Sequence, residues 1–153
     1  MTLVRVNKDN LDEYEEFIKK HPKGLFQHSS KWAKVKSAWK FEAIMLKNDS
    51  GEIKGSAAVL IRSIPIIKNS LMYCCRGFVC DENDFDTFDK LFNGLIELGK
   101  EYKTYCIKID PEIVIQNEAY KKHLIEKGFI ELNPGCMDFE NVQPRFVYCF
   151  DYN

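Results

Sequence analysis

FEAIMLKNDSGEIKGSAAVLIRSIPI, residues 41–66, is the stretch on which the fold turns. Two apolar runs bracket Asp-Ser-Gly-Glu, a cluster of residues that favour turns for separate reasons of backbone freedom and side-chain hydrogen bonding. The run 41–48 reads as one strand, 49–52 as a turn and 53–66 as a longer strand, so the segment is a hairpin. Working outward, TLVRV (2–6) alternates as a first strand, and Leu11, Tyr14, Phe17 and Ile18 then take up helical spacing until Pro22 and Gly24 end it. Ser29 or Ser30 can cap a second helix that carries Trp32 and Trp39.

Downstream, SLMYCC (70–75) is another strand. Asp84 or Asp86 starts a helix whose Phe85, Phe88, Leu91, Phe92, Leu95 and Leu98 form one apolar stripe. TYCIKID (104–110) is a strand closed by Pro111. Residues 118–127 form a short helix ended by Gly128, a residue suited to the C′ position. FIEL (129–132) reads as a short strand, and FVYCF (146–150) as a last strand after the loop NPGCMDFENVQP. The order β-α-α-β-β-β-α-β-α-β-loop-β predicts an α/β domain with a mixed sheet. With no repeat, low-complexity tract or linker, residues 1–153 are expected to form a single domain.

Composition narrows the function classes. Of the 153 residues 45% are apolar and 29% charged, which is globular rather than disordered, and the net charge of -1 makes no global case for nucleic acid or an anionic membrane. A local basic patch stays open. The N-terminal MTLVRVNKDNLDEY has no signal-peptide pattern and no apolar run reaches spanning length, so a cytosolic protein is expected. Cys74, Cys75, Cys80, Cys106, Cys136 and Cys149 form no CxxC pair, and His21, His28 and His123 are scattered. Reduced core thiols with no metal are expected.

The element order, with two helices after the first strand and HLIEKGFIEL near the end, resembles the GCN5-related N-acetyltransferase fold. Such enzymes hold the acyl-CoA pyrophosphate in a Q/R-x-x-G-x-G/A turn at a helix N-terminus. Here RGFVCD (76–81) leads toward the central helix with one glycine, so no acyl-CoA and no other cofactor is expected.

Within the second helix, Trp32, Val35 and Trp39 share one stripe; Lys31 and Lys34 point away from it, and Lys36 lies at its edge. By geometry alone Lys36 either lays its stem along the rings or contacts an anion at the rim. The set Gln27, Trp32 and Lys36, then LIRSIP, Tyr73-x-x-Arg-Gly-x-Val-x-Asp81, KIDPE (108–112) and QPR (143–145), resembles the Fem family of peptidoglycan-bridge aminoacyltransferases, and specifically the first of its two acetyltransferase-like halves. The resemblance implies transfer of an amino acid from aminoacyl-tRNA to the stem peptide of a UDP- or lipid-linked muramyl-peptide precursor. It implies work in the cytoplasm at the inner membrane face, and tRNA contacts through a second half beyond this chain.

The same resemblance makes Lys36 a contact to precursor phosphate beside Trp32. It also places Tyr105 and Asp110 along the precursor cleft and Arg76 in an Arg-Gly turn whose usual prolines are replaced by Cys75 and Phe78. Asp110 is the candidate catalytic residue, to hold or deprotonate an amine; on the bland reading it is a strand-end turn former. Arg145 reads as an ion-pair residue and Tyr73 as core. Two rival readings are a binding domain without catalysis and a small-molecule N-acetyltransferase with a divergent CoA site.

Overall fold

Asn48 makes the hairpin turn. Its side-chain oxygen accepts the backbone N–H groups of Ser50 and Glu52 at 3.1 and 2.9 Å, which closes the chain between β2 (Lys40–Lys47) and β3 (Ile53–Ile64). The two strands are antiparallel, with Ala43 opposite Ala58 and Phe41 opposite Leu60. β1 (Thr2–Arg5) adds to one edge. On the other lie β4 (Asn69–Cys74) and β5 (Thr104–Ile109), in the order β1-β2-β3-β4-β5. Among the described strands only β4 and β5 pair in parallel, consistent with the crossover helix that joins them. That helix is α3, Phe85–Glu101. The computed structural model describes residues 1–66, 68–114 and 116–132.

Residues 43–46 of β2 are all buried, which needs cover on both faces of the sheet. On one face Ala43 and Met45 pack with Tyr14 and Ile18 of α1 (Leu11–Lys20), with Ala58 and with Val79. On the other, Ile44 meets α3 so closely that a Cβ on Gly94 would lie 2.7 Å from its Cδ1. The α3 stripe is buried at Phe88, Leu91, Leu95 and Leu98. Of the two candidate caps, Asp84 starts this helix: one carboxylate oxygen accepts the Thr87 N–H at 3.0 Å and the other its hydroxyl at 2.7 Å.

The tryptophan helix departs from expectation. α2 spans only Ser30–Val35, and Lys36 leaves helical backbone at φ -94°, ψ 51°. Trp39 therefore lies beyond the helix, under the Arg62 guanidinium at 5.7 Å, and shares no stripe with Trp32. Val35 is 68% exposed, so no described element covers it, although periodicity marked its face as apolar. Ser29 sits at the N-cap position without capping through its side chain, because its hydroxyl donates to the Phe26 carbonyl at 2.8 Å. The Glu15 carboxylate of α1 takes the free Ser30 N–H at 2.7 Å. A short helix thus leans on an acid from another helix.

The chain divides into two compact units, Met1–Asn117 and Glu118–Asn153. In the second, α4 (Glu118–Glu126) ends as expected. Gly128, at φ 86°, donates to Ile125 at 2.9 Å, and Phe129 donates to Leu124 at 3.0 Å, the paired bonds of a Schellman motif. FIEL forms no strand: residues 129–131 are irregular, and Ile130 and Leu132 are exposed. A strand persists where a neighbour takes its ladder hydrogen bonds, and none does so here among the described residues. The loop from Asn133, the QPR triplet with Arg145, the strand FVYCF, Cys136 and Cys149 lie outside the described residues. Cys74, Cys75 and Cys80 are buried, but Cys106 is exposed on β5, against the expectation of a core thiol. Among the described residues, no helix is long and apolar enough to cross a membrane.

Candidate functional site

β4 and β5 end side by side, with Tyr73 opposite Lys108 and Cys74 opposite Ile109. Ligands of open α/β sheets gather beyond the carboxyl ends of such strands. Beyond β4 the chain enters left-handed backbone twice in succession, at Arg76 (φ 60°) and Gly77 (φ 78°). For a residue with a Cβ this conformation costs about 1–2 kcal/mol and needs outside support.

Asp110, just past β5, supplies it. One of its carboxylate oxygens accepts the Arg76 backbone N–H at 2.7 Å, and the other accepts the Tyr73 hydroxyl at 2.9 Å. Pro111 packs under the turn so tightly that a Cβ on Gly77 would sit 3.0 Å from its Cα. The Asp-Pro and Arg-Gly pairs interlock. The Arg76-Gly77 turn is thus held by Asp110 and Pro111.

The electrostatics of this corner follow from burial. Burial raises the Asp110 pKa against the pull of the Arg76 N–H, the Tyr73 hydroxyl and the Arg76 charge, so the carboxylate holds a proton more readily than an ordinary aspartate. The buried Cys75 thiol is pushed up by desolvation, while Arg76 and Lys36 both pull it down. Lys36 stands just past the end of α2. Its ammonium lies 5.1 Å from the Trp32 ring centre, a cation–π contact, and Phe26 meets that ring edge-on at 5.1 Å.

His28 supports the corner from below. It sits in a single 3-10 turn (Phe26–His28) and is 1% exposed. Its Nδ1 accepts the Leu25 N–H at 3.0 Å, so Nε2 carries the hydrogen. Nε2 lies toward the carbonyls of Cys75 and Gly77 without closing a well-formed hydrogen bond. Burial lowers its pKa to about 4, which keeps the ring neutral. Tyr14 of α1 donates to the His28 carbonyl, fixing the 3-10 turn to the core.

The structure thus brings Asp110 and the Arg76 backbone together, and seats Lys36 on the Trp32 ring. It separates Tyr105, which is 56% exposed at the start of β5. Five residues before Asp110, it lies roughly 16 Å away along the strand and on the other face. Sequence reasoning missed two participants, Tyr73 and His28. Tyr73 read as core, yet its hydroxyl is on Asp110, a pairing 37 residues apart in sequence that only the parallel register makes visible. His28 carried no signal beyond being a histidine. Chemically, a half-buried carboxylate held by a phenol and a backbone N–H suits an amine, and the lysine on the tryptophan ring suits an anion.

A mixed sheet with a parallel β4–β5 pair bridged by α3 is an acetyltransferase architecture. A probable acetyltransferase of known structure superposes with a TM-score of 0.66 over 97% of this chain and 99% of its own, at 13% identity, a likeness of fold alone. The FemAB family model matches residues 10–133, and the chain belongs to the FemAB family. The lipid II:glycine glycyltransferase of Staphylococcus epidermidis strain RP62A is 36% identical over 120 residues, 76% of this chain and 29% of that protein. The crystal structure of FemX superposes with a TM-score of 0.73 at 30% identity, covering 84% of this chain and 32% of FemX. The chain therefore spans about a third of the length of the relatives it matches.

Proposed function

We propose that this chain is the precursor-binding half of a FemAB-type aminoacyltransferase. In this reading the whole enzyme moves an amino acid from aminoacyl-tRNA to the stem peptide of a muramyl-peptide precursor. The observation that carries it, within the family, is the turn beyond β4 in which Asp110 fixes the Arg76 backbone, with Lys36 seated on the Trp32 ring as the second cation of this reading. Two cations there suit the phosphates that link the muramyl peptide to its nucleotide or lipid carrier. Trp32 orients Lys36, and Asp110 holds the Arg76 turn while offering a carboxylate of raised proton affinity to the acceptor amine. Aminolysis of the tRNA ester also needs donors for the developing oxyanion, which this reading assigns to parts of the enzyme beyond this chain. Tyr105 meets only a ligand that extends along the exposed side of β5. The reaction is placed in the cytoplasm, at the inner membrane face where a lipid-linked precursor lies.

Calorimetric titration with UDP-linked muramyl pentapeptide tests this reading. A hydrogen bond to a charged group contributes about 1.5–3 kcal/mol, so Lys36→Ala weakens binding roughly ten- to hundredfold. Lys31→Ala and Lys34→Ala change it less than about twofold. Equal affinity in all three removes the phosphate contact from the proposal. Titration with acetyl-CoA separates the N-acetyltransferase reading, and no binding is expected. Gly77 is committed to packing on Pro111, and the Asp84 carboxylate already occupies the α3 N-terminus where a pyrophosphate would be drawn. Micromolar affinity for acetyl-CoA would favour the acetyltransferase instead.

A further inference from the structure

The 3-10 turn and α2 present a surface that shares Trp32 and Lys36 with the phosphate reading and extends beyond them. Phe26 is 63% and Val35 68% exposed, two large apolar side chains in one short segment. Trp32 lies half-buried between them in sequence, its ring edge-on to Phe26. Lys31 stands one helical turn before Val35, on the same side of α2, and Lys34 and Lys36 flank it. Ala33, opposite, turns inward and is only partly exposed. Lys31, Lys34 and Lys36 are exposed, and none forms an ion pair with a described residue.

This cluster is also a charge anomaly. Residues 26–41 contain four lysines and no aspartate or glutamate, in a chain whose net charge is -1. Lys40 is neutralised by Glu42, which leaves three unpaired cations around an apolar centre. In water the arrangement gains nothing: the apolar groups stay hydrated and the lysines repel each other. Against a surface that is apolar inside and anionic outside, both defects are relieved together.

We propose that Phe26, Trp32 and Val35, ringed by Lys31, Lys34 and Lys36, dock on an anionic lipid bilayer. Charge complementarity selects this occupant over two others. A second copy of the chain would bring three lysines against three. A nucleic acid would suit the charge, but Val35 offers no ring for a base to stack on, and the Phe26 and Trp32 rings are set edge-to-face rather than as parallel platforms. The apolar area is small, so binding needs both the side-chain insertion and the electrostatic attraction, and neither alone holds the protein. The site deepens the precursor reading, because a lipid-linked substrate lies in such a surface, but it is separable from it by experiment.

The test is cosedimentation of the chain with phosphatidylcholine vesicles, with and without phosphatidylglycerol, at low ionic strength. Sedimentation is expected with the anionic vesicles only and is reversed by salt. Lys31→Ala and Lys34→Ala each lower partitioning about fivefold. Val35→Ser, at an exposed apolar site that the phosphate reading does not use, lowers it as well. All of these substitute exposed groups and leave the thermal midpoint and the affinity for soluble UDP-muramyl pentapeptide unchanged. If that soluble ligand fails to bind the unmodified chain while vesicle binding follows this pattern, the precursor reading falls and the docking surface stands. Equal sedimentation with both vesicle types overturns the proposal, as do variants that partition like the unmodified chain. Loss of tRNA binding in these variants, with vesicle binding intact, also overturns it and makes the face a nucleic-acid surface.

Discussion

α3 and α2 carry similar-looking apolar patterns and come to opposite ends. Seventeen-residue α3 lays Phe88, Leu91, Leu95 and Leu98 into the core under a well-formed Asp84 cap. Six-residue α2 has no buried residue, takes its N-terminal hydrogen bond from Glu15, and points Val35 at solvent. A helix shorter than about 12 residues is not stable alone. α2 is held by Glu15, by the 3-10 turn anchored on Tyr14 and by Trp32 against Phe26, whereas α3 is held by its own stripe. Periodicity states what a helix could bury; whether a sheet stands opposite is a separate matter.

The sharpest way to break this contrast is truncation on each helix. Leu91→Ala, at a fully buried site, is expected to cost about 2–5 kcal/mol of unfolding free energy in a urea titration. Val35→Ala should change it by less than about 0.5 kcal/mol. Comparable losses would mean that α2 is buried as deeply as α3.

A pH titration reads the support beneath α2. His28 has a folded pKa of about 4 against an ordinary 6.5, so the unfolded chain binds the proton more tightly between those values. Stability is therefore complete above pH 6.5 and is lost as the pH falls through this window, by about 2 kcal/mol between pH 7 and pH 5. His21, whose pKa burial also lowers, adds to the loss in the same direction. Burial would raise Glu42, but hydrogen bonds from Arg5, Tyr102 and Lys40 prevail and bring it to about 2, so its own loss begins only as the pH falls below about 4.5. His28→Asn should flatten the slope between pH 7 and 5; an unchanged slope would show that His28 does not titrate on unfolding.

The two helix starts give the smallest contrast. Asp84→Ala removes a working cap and is expected to cost about 1 kcal/mol, measured as a shift in the urea midpoint. Ser29→Ala removes a hydroxyl bonded to the Phe26 carbonyl but no cap, and should cost less than Asp84→Ala. The reverse order would refute the assignment of the caps.

Much of the sheet was readable in advance because its signals are local. Asn48 to Glu52 is a turn whatever surrounds it, and the β3 run from Ile53 is too apolar to lie outside a sheet. The errors share one cause, which is that the deciding contact was distant. FIEL has strand composition but no ladder partner among the described residues. Cys106 sits in an apolar run, yet on β5, the last strand of the described sheet, its side chain is exposed. Trp39 fell off the predicted stripe because Lys36 left the helix and Arg62 of β3 took the ring.

For the candidate site the division is the same. Sequence alone determined the residue types and their order, namely Lys36 after Trp32, the Arg76-Gly77 turn and the Asp110-Pro111 strand end, together with the family they mark. Only the tertiary structure decided that Asp110 holds Arg76 in left-handed backbone, that Tyr73 shares its carboxylate, and that neutral His28 lies beneath them. It also set Tyr105 apart. Hydrogen bonds between residues 34 to 37 positions apart leave no periodic trace in a sequence, because they exist only once β4 and β5 pair in parallel register and bring their ends together.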